Sequence, residues 1–199
     1  MDISIVDYKA GNAVNVKNAF EKLGASASIA QDEKEWEKAS AIVFPGVGSF
    51  GAAVKNLGGR VDSLRELIAE GTPFLGICLG MQLLMEKSEE SGGIPGLGVV
   101  PGTAKRLEGT LPVPHMGWNK VEEMDSPLFE GMDAAYAYFV HSYCCIPSDA
   151  GWIAAKTEYE KQFASAFWKG NVFATQFHPE KSGAAGLKML QNFIREVKK

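Results

Sequence analysis

A thiol, an imidazole and a carboxylate stand in this chain where acyl-transfer chemistry would need them. Cys78 lies in the run Phe74-Leu75-Gly76-Ile77-Cys78-Leu79-Gly80-Met81-Gln82, between two glycines that each stand two residues away. A strand ending at Ile77 and a helix starting near Leu79 would force the cysteine into a strained turn, and Gly76 and Gly80 have no Cβ to clash with it. Such a turn exposes the sulfur at the carboxyl end of a sheet. It also sets it at a helix N-terminus, where free N–H groups and the positive end of the dipole favour a thiolate. Far downstream, Gln176-Phe177-His178-Pro179-Glu180 carries a histidine and a carboxylate at i and i+2, on one face of an extended segment. Pro179 stiffens the exit and removes a backbone donor. A nucleophile, a base that takes and returns its proton, and a group that fixes the imidazole tautomer make an acyl-transfer triad. Cys78, His178 and Glu180 fill those roles. Singly, each has a plainer reading, as a buried apolar cysteine or a histidine satisfied at a strand end; the flanking glycines together with His-x-Glu favour catalysis.

To bring these groups together, the first part of the chain must alternate strands and helices. Ile3 to Asp7, Ser28 to Ala30, Ala41 to Phe44 and Pro73 to Cys78 read as strands. Gly11-Asn12 leads into a helix from Val14 to Leu23 that Gly24 stops, with Val16, Phe20 and Leu23 at helical spacing. Further helices are predicted at Asp62 to Glu70 and Leu79 to Glu89. This order implies an α/β fold, a mainly parallel central sheet flanked by helices, with ligands at the carboxyl ends of the strands. The second half adds strand-like runs at Val113 to Glu122, Tyr136 to Cys145, Trp152 to Thr157, Phe163 to Trp168 and Asn171 to Phe177, which predict antiparallel additions. Lys169-Gly170-Asn171 reads as a tight hairpin turn, and Gly92 to Gly102 as a loop. A last helix starts with Ser182 as its N-cap and carries an apolar stripe of Leu187, Leu190, Phe193, Ile194 and Val197.

Composition limits the function classes. With 46% hydrophobic and 22% charged residues over 199 positions, the chain supports one substantial core, so a single domain over 1–199 is expected. Absence of an eighteen-residue apolar run, a leader or a lipidation signal predicts a soluble, cytoplasmic protein with no membrane role. A net charge of −4 without a basic run argues against nucleic acid as a partner. Three cysteines, two of them adjacent at Cys144-Cys145, make a poor disulfide framework and read as reduced. His115, His141 and His178 are dispersed, so no metal site is expected, and no cofactor is implied.

Gly-x-Cys-x-Gly with a downstream His-Pro-Glu closely resembles the class I, or triad, glutamine amidotransferases, over nearly the whole chain. Within that family, four runs are similar to the glutaminase subunits of imidazole glycerol phosphate synthases: Asp7-Tyr8 with Gly11-Asn12, Pro45-Gly46-Val47-Gly48-Ser49-Phe50, His115-Met116-Gly117-Trp118-Asn119, and Tyr138-Phe139-Val140-His141-Ser142-Tyr143. Pro-Gly-Val-Gly-x-Phe discriminates best, because other members resemble Pro-Gly-Gly-Pro there. The pattern near the amino end resembles Asp-Tyr-Gly-x-Gly-Asn-Leu, and this chain departs from it with Lys9 and Ala13.

The resemblance implies L-glutamine as substrate, hydrolysed through a thioester on Cys78. The tetrahedral oxyanion needs two aimed N–H donors; Leu79 follows the nucleophile directly, and the resemblance points to Val47 for the second. Glycines on both sides of Val47 make a peptide flip cheap, and the loop is expected to be misaligned until a partner engages. The resemblance also assigns Gln82, Glu90, Ser142 and Tyr143 to glutamine contacts. It implies a heterodimer with a (β/α)8-barrel cyclase subunit that takes up the ammonia, with Asn12, Trp118, Tyr138 and Lys181 at the interface. The cyclase would form imidazole glycerol phosphate and an aminoimidazole carboxamide ribotide. Glu90 standing alone in a charged run reads as a solvated face, and Tyr138 as strand packing. Three other readings stay open: a glutaminase feeding another synthase, a cysteine peptidase or deglycase-like enzyme on a similar sheet, and a catalytically silent binder.

Overall fold

The computed structural model describes residues 1–9 and 12–199; Gly11, at the start of the predicted first helix, lies outside the described residues. Strands β1 (Asp2–Val6), β2 (Ser26–Ala30), β3 (Ala41–Phe44) and β4 (Phe74–Ile77) alternate with α1 (Ala13–Lys22), α2 (Glu33–Trp36), α3 (Phe50–Leu57) and α4 (Arg60–Ala69). Past the elbow come α5 (Leu79–Leu83), β5 (Met85–Ser88) and β6 (Val100–Arg106). The remainder is β7 (His115–Val121), β8 (Ala135–His141), β9 (Tyr143–Pro147), β10 (Ile153–Tyr159), β11 (Lys161–Lys169), β12 (Val172–Thr175) and α6 (Gly183–Val197).

Among the described residues the central sheet has seven strands in the order β10-β11-β12-β4-β3-β1-β2. From β12 to β2 every pairing is parallel, and β10 and β11 add an antiparallel edge. That is the mixed α/β architecture expected. β3 and β4 are buried along their whole length, as parallel strands covered on both faces must be. Alternate side chains enter two cores: Val43, Leu75 and Ile77 pack with α1 and α6, while Ile42, Phe44 and Phe74 pack with α3 and α4. The β11–β12 hairpin turns at Gly170-Asn171, with Gly170 at φ 58°.

Three expectations need correction and a fourth needs refining. The helix after Cys78 ends at Leu83 instead of reaching Glu89, because sheet pairing captures the chain: Leu84 and Glu86 carbonyls accept the Val100 and Gly96 N–H groups, and Met85 pairs with Val100. The loop predicted through Gly102 therefore ends in a strand. Tyr136 to Cys145 is two strands, since the chain changes sheets at Ser142: β8 pairs with β7, and β9 with β6. Finally, Ser182 is the N-cap of α6 by position, but its side chain makes no capping hydrogen bond. Its hydroxyl donates to the His178 carbonyl (2.6 Å) and accepts the Tyr138 N–H (3.0 Å).

Candidate active site

β12 runs parallel to β4 with Thr175 opposite Ile77, so both strands end at the same sheet edge. Cys78 leaves β4 at φ 49° and ψ −98°, a conformation that costs an L-residue on the order of 1–3 kcal/mol. Close packing enforces it. A Cβ on Gly76 would lie 2.7 Å from the Gly80 carbonyl group, and one on Gly80 would lie 2.4 Å from the Phe44 oxygen. The Cys78 N–H donates to the Thr175 carbonyl at 2.6 Å, which joins the elbow to the strand that delivers His178.

His178 is fully buried, and its Nδ1 stands 2.8 Å from Glu180 Oε1. Its peptide is tied twice to β8, through His178 N–H to the Tyr138 carbonyl and through Ser182. Burial alone would lower the imidazole pKa; the neighbouring Cys78 and Glu180 outweigh that and raise it to about 9. Nε2 has no partner at ordinary hydrogen-bond geometry, yet Cys78 lies close enough to raise the ring's pKa. Such contacts commonly tighten only when substrate binds. Gln176 Nε2 approaches Cys78 Sγ at 3.6 Å from a fully buried position.

A cavity of about 320 Å³ opens over Cys78, at the small end of the roughly 300–1,000 Å³ usual for ligand sites and suited to an amino acid. Val47, Leu79, Gln82, Glu90, Ser142 and Tyr143, all predicted from the sequence, line it. Glu90 Oε2 accepts the Phe50 N–H at the start of α3 (2.7 Å), which holds its carboxylate at the cavity wall. Gln82 Nε2 donates to the Tyr143 carbonyl at 3.3 Å. Gly46 permits the close approach of this loop, since a Cβ there would lie 1.9 Å from the Ile77 oxygen. The Val47 N–H is engaged elsewhere, donating to the Tyr8 hydroxyl at 3.0 Å.

The four predicted interface residues gather around the triad segment. Trp118 is 58% exposed and meets Tyr138 edge-on at 6.3 Å, and Lys181 Nζ lies 6.0 Å over the Tyr138 ring. Asn12 has a second employment: its Nδ2 donates to Glu180 Oε1 at 2.5 Å, while its Oδ1 accepts from Asn15. Lys9, where the family pattern resembles glycine, takes φ 64° and so keeps the backbone region that glycine reaches without strain.

A family model of the class-I glutamine amidotransferases matches residues 4–197. The chain belongs to that family. A curated relative from Methanothermobacter thermautotrophicus, imidazole glycerol phosphate synthase subunit HisH, is 46% identical over 98% of this chain and 99% of its own. The protein of the same name from Methanocaldococcus jannaschii is 47% identical over 96% and 98%. Among solved structures, a crystal structure described as glutamine amidotransferase superposes with TM-score 0.79 at 20% identity, covering 98% of this chain and 99% of the other. PurLQS from Thermotoga maritima gives 0.77 at 18% identity and 98% coverage of both. At those identities the structures share the amidotransferase fold.

Sequence reasoning gave several groups at this candidate site no part in it, or, for Asn12, a different one. Pro114, Val140 and His141 line the cavity, Gln176 touches the thiol, Asn12 holds Glu180 and Tyr8 holds Val47. Gln176 stands two residues before His178, and Tyr8, Asn12, Val140 and His141 lie in the family runs quoted above; what each of them touches arrives only through tertiary folding. Among the described residues no group of three or more His, Cys, Asp or Glu side chains is placed to hold a metal ion, and no helix is long and apolar enough to cross a membrane. All three cysteines are free. Burial pushes the Cys144 and Cys145 thiols up, away from reactivity.

Proposed function

We propose that this chain is the glutaminase subunit of an imidazole glycerol phosphate synthase, acting in the cytoplasm as one amidotransferase domain over 1–199. The observation that carries the chemistry is the strained Cys78 elbow beside the buried His178–Glu180 pair, at the floor of an amino-acid-sized cavity. His178 takes the thiol proton, and Cys78 Sγ attacks the side-chain amide carbon of L-glutamine. The imidazolium then protonates the departing ammonia, and water activated by the same ring releases glutamate from the thioester. Glu180 holds the imidazole tautomer.

Leu79 N–H and a reoriented Val47 N–H stabilise the oxyanion, an interaction typically worth about 10²–10³ in rate per donor. The engagement of Val47 N–H by Tyr8 supports a resting loop that must flip before turnover. Glu90 meets the substrate ammonium, and Gln82, Ser142 and Tyr143 hold its other end. Ammonia passes to a (β/α)8-barrel cyclase subunit, docked on the face formed by Asn12, Trp118, Tyr138 and Lys181. Subunit status rests on the named relatives at 46–47% identity over nearly the full chain.

The decisive experiment measures glutamate release by the chain alone and after mixing with a cyclase subunit and its nucleotide ligand. Release should rise on mixing. Cys78→Ala should abolish glutamine-dependent synthesis and retain synthesis from added ammonia; loss of both in a folded complex contradicts this division of labour.

A further inference from the structure

Tyr8 sits two residues past β1 with 1% exposure, stacked on Phe44 at 4.8 Å and 20°, and its own carbonyl accepts from Asn56 Nδ2 at 2.9 Å. Ring and backbone are therefore both held. Its hydroxyl donates to the Val47 carbonyl at 2.6 Å and accepts the Val47 N–H at 3.0 Å, with the Pro45 carbonyl 3.1 Å away. One phenol thus grips both peptides that flank Val47, the residue whose N–H is needed over Cys78. Burial raises the phenol pKa well above its ordinary value, so the hydroxyl keeps its proton throughout the assay range. For Val47 N–H to serve the oxyanion, it must first leave Tyr8.

We propose that Tyr8 is a positioning residue that clamps the Val47 peptide away from Cys78, so that release of this phenol sets the unstimulated rate of glutamine hydrolysis. The proposal rests on the glutaminase reading above and adds the group that restrains it.

Tyr8→Phe keeps the stacked ring and removes only the hydroxyl. Glutamate release by the isolated variant should rise on the order of tenfold, the loss expected for two modest hydrogen bonds in the resting state. Turnover stimulated by the cyclase and its ligand should stay at the wild-type level, so the stimulation ratio falls by the same factor. Alkylation of Cys78 by iodoacetamide, which builds no oxyanion, should keep its rate. Asn56→Ala, which loosens the Tyr8 backbone, should shift the unstimulated rate the same way. An unstimulated rate at or below wild type overturns the clamp, and so does a rise matched by faster alkylation. Robust glutamate release by the wild-type complex alongside either result leaves the glutaminase reading standing; a wild-type complex that releases none overturns both.

Discussion

Mild acid should destabilise this protein through two buried histidines at the Cys78 cavity, His141 in its wall and His115 against it. His115 and His141 are 3% and 4% exposed and lie in a directed chain. Asn119 Nδ2 meets His115 Nε2 at 3.3 Å, His115 Nδ1 meets His141 Nε2 at 3.0 Å, and His141 Nδ1 meets the Tyr143 carbonyl at 2.9 Å. The orientation of Asn119 is set by Oδ1 accepting from Lys120 N–H and Nδ2 donating to the Glu158 carbonyl. An amide nitrogen only donates and a carbonyl only accepts, so both rings are neutral and carry their proton on Nδ1. A second proton on either would set donor against donor. Burial is the leading cause that holds their pKa values down, to about 4 for His115 and about 3 for His141.

Because these folded values lie below the unfolded value of about 6.5, the unfolded chain binds more protons, and stability falls as the pH drops through 6.5. From about pH 7.5 to about pH 5 each ring costs roughly 2 kcal/mol. His178 has the opposite sign: raised to about 9, it contributes stability that is complete below 6.5 and lost as the pH rises through 9. Over the same interval it returns about 1 kcal/mol, leaving a net loss of about 3 kcal/mol. Urea unfolding at the two pH values measures this, and nitrogen-15 spectra of the imidazoles report the tautomers. Equal or greater stability at the lower pH, or an imidazolium signal from either buried ring there, would refute the reasoning.

Asn12→Ala removes the amide that orients Glu180; kcat for glutamine hydrolysis should fall on the order of tenfold with KM unchanged, and Asn12→Asp should do worse by setting like charges together. Gly80→Ala drives a Cβ to 2.4 Å from the Phe44 oxygen, so denaturant midpoints should report a loss of about 1–3 kcal/mol or more. Glu90→Gln leaves an acceptor for Phe50 N–H but no charge, so steady-state kinetics should show a higher KM for glutamine and a nearly unchanged melting temperature.

Some of this was legible before folding because it is local. His178 and Glu180 share one extended segment, and the glycines around Cys78 mark a turn whose strain depends on immediate neighbours. Strand and helix alternation is likewise carried by short runs. Other features were hidden for the same physical reason in reverse. α3 went unpredicted, and its first N–H is capped by Glu90, forty positions away. The helix after Cys78 looked longer than it is because Leu83 to Glu89 suits a helix until the Gly96 to Val100 backbone competes for its carbonyls.

The sequence by itself singled out Cys78, His178 and Glu180 as a candidate triad and called for the mainly parallel sheet that carries them, since each rests on residue type and spacing within a few positions. Only the tertiary structure decided what those groups touch. Asn12 reaches Glu180 across 168 positions, and Tyr8 reaches Val47 across 39. Side-chain hydrogen bonds are satisfied by whatever donor or acceptor the packed chain brings within about 3 Å, and sequence periodicity carries no record of such partners.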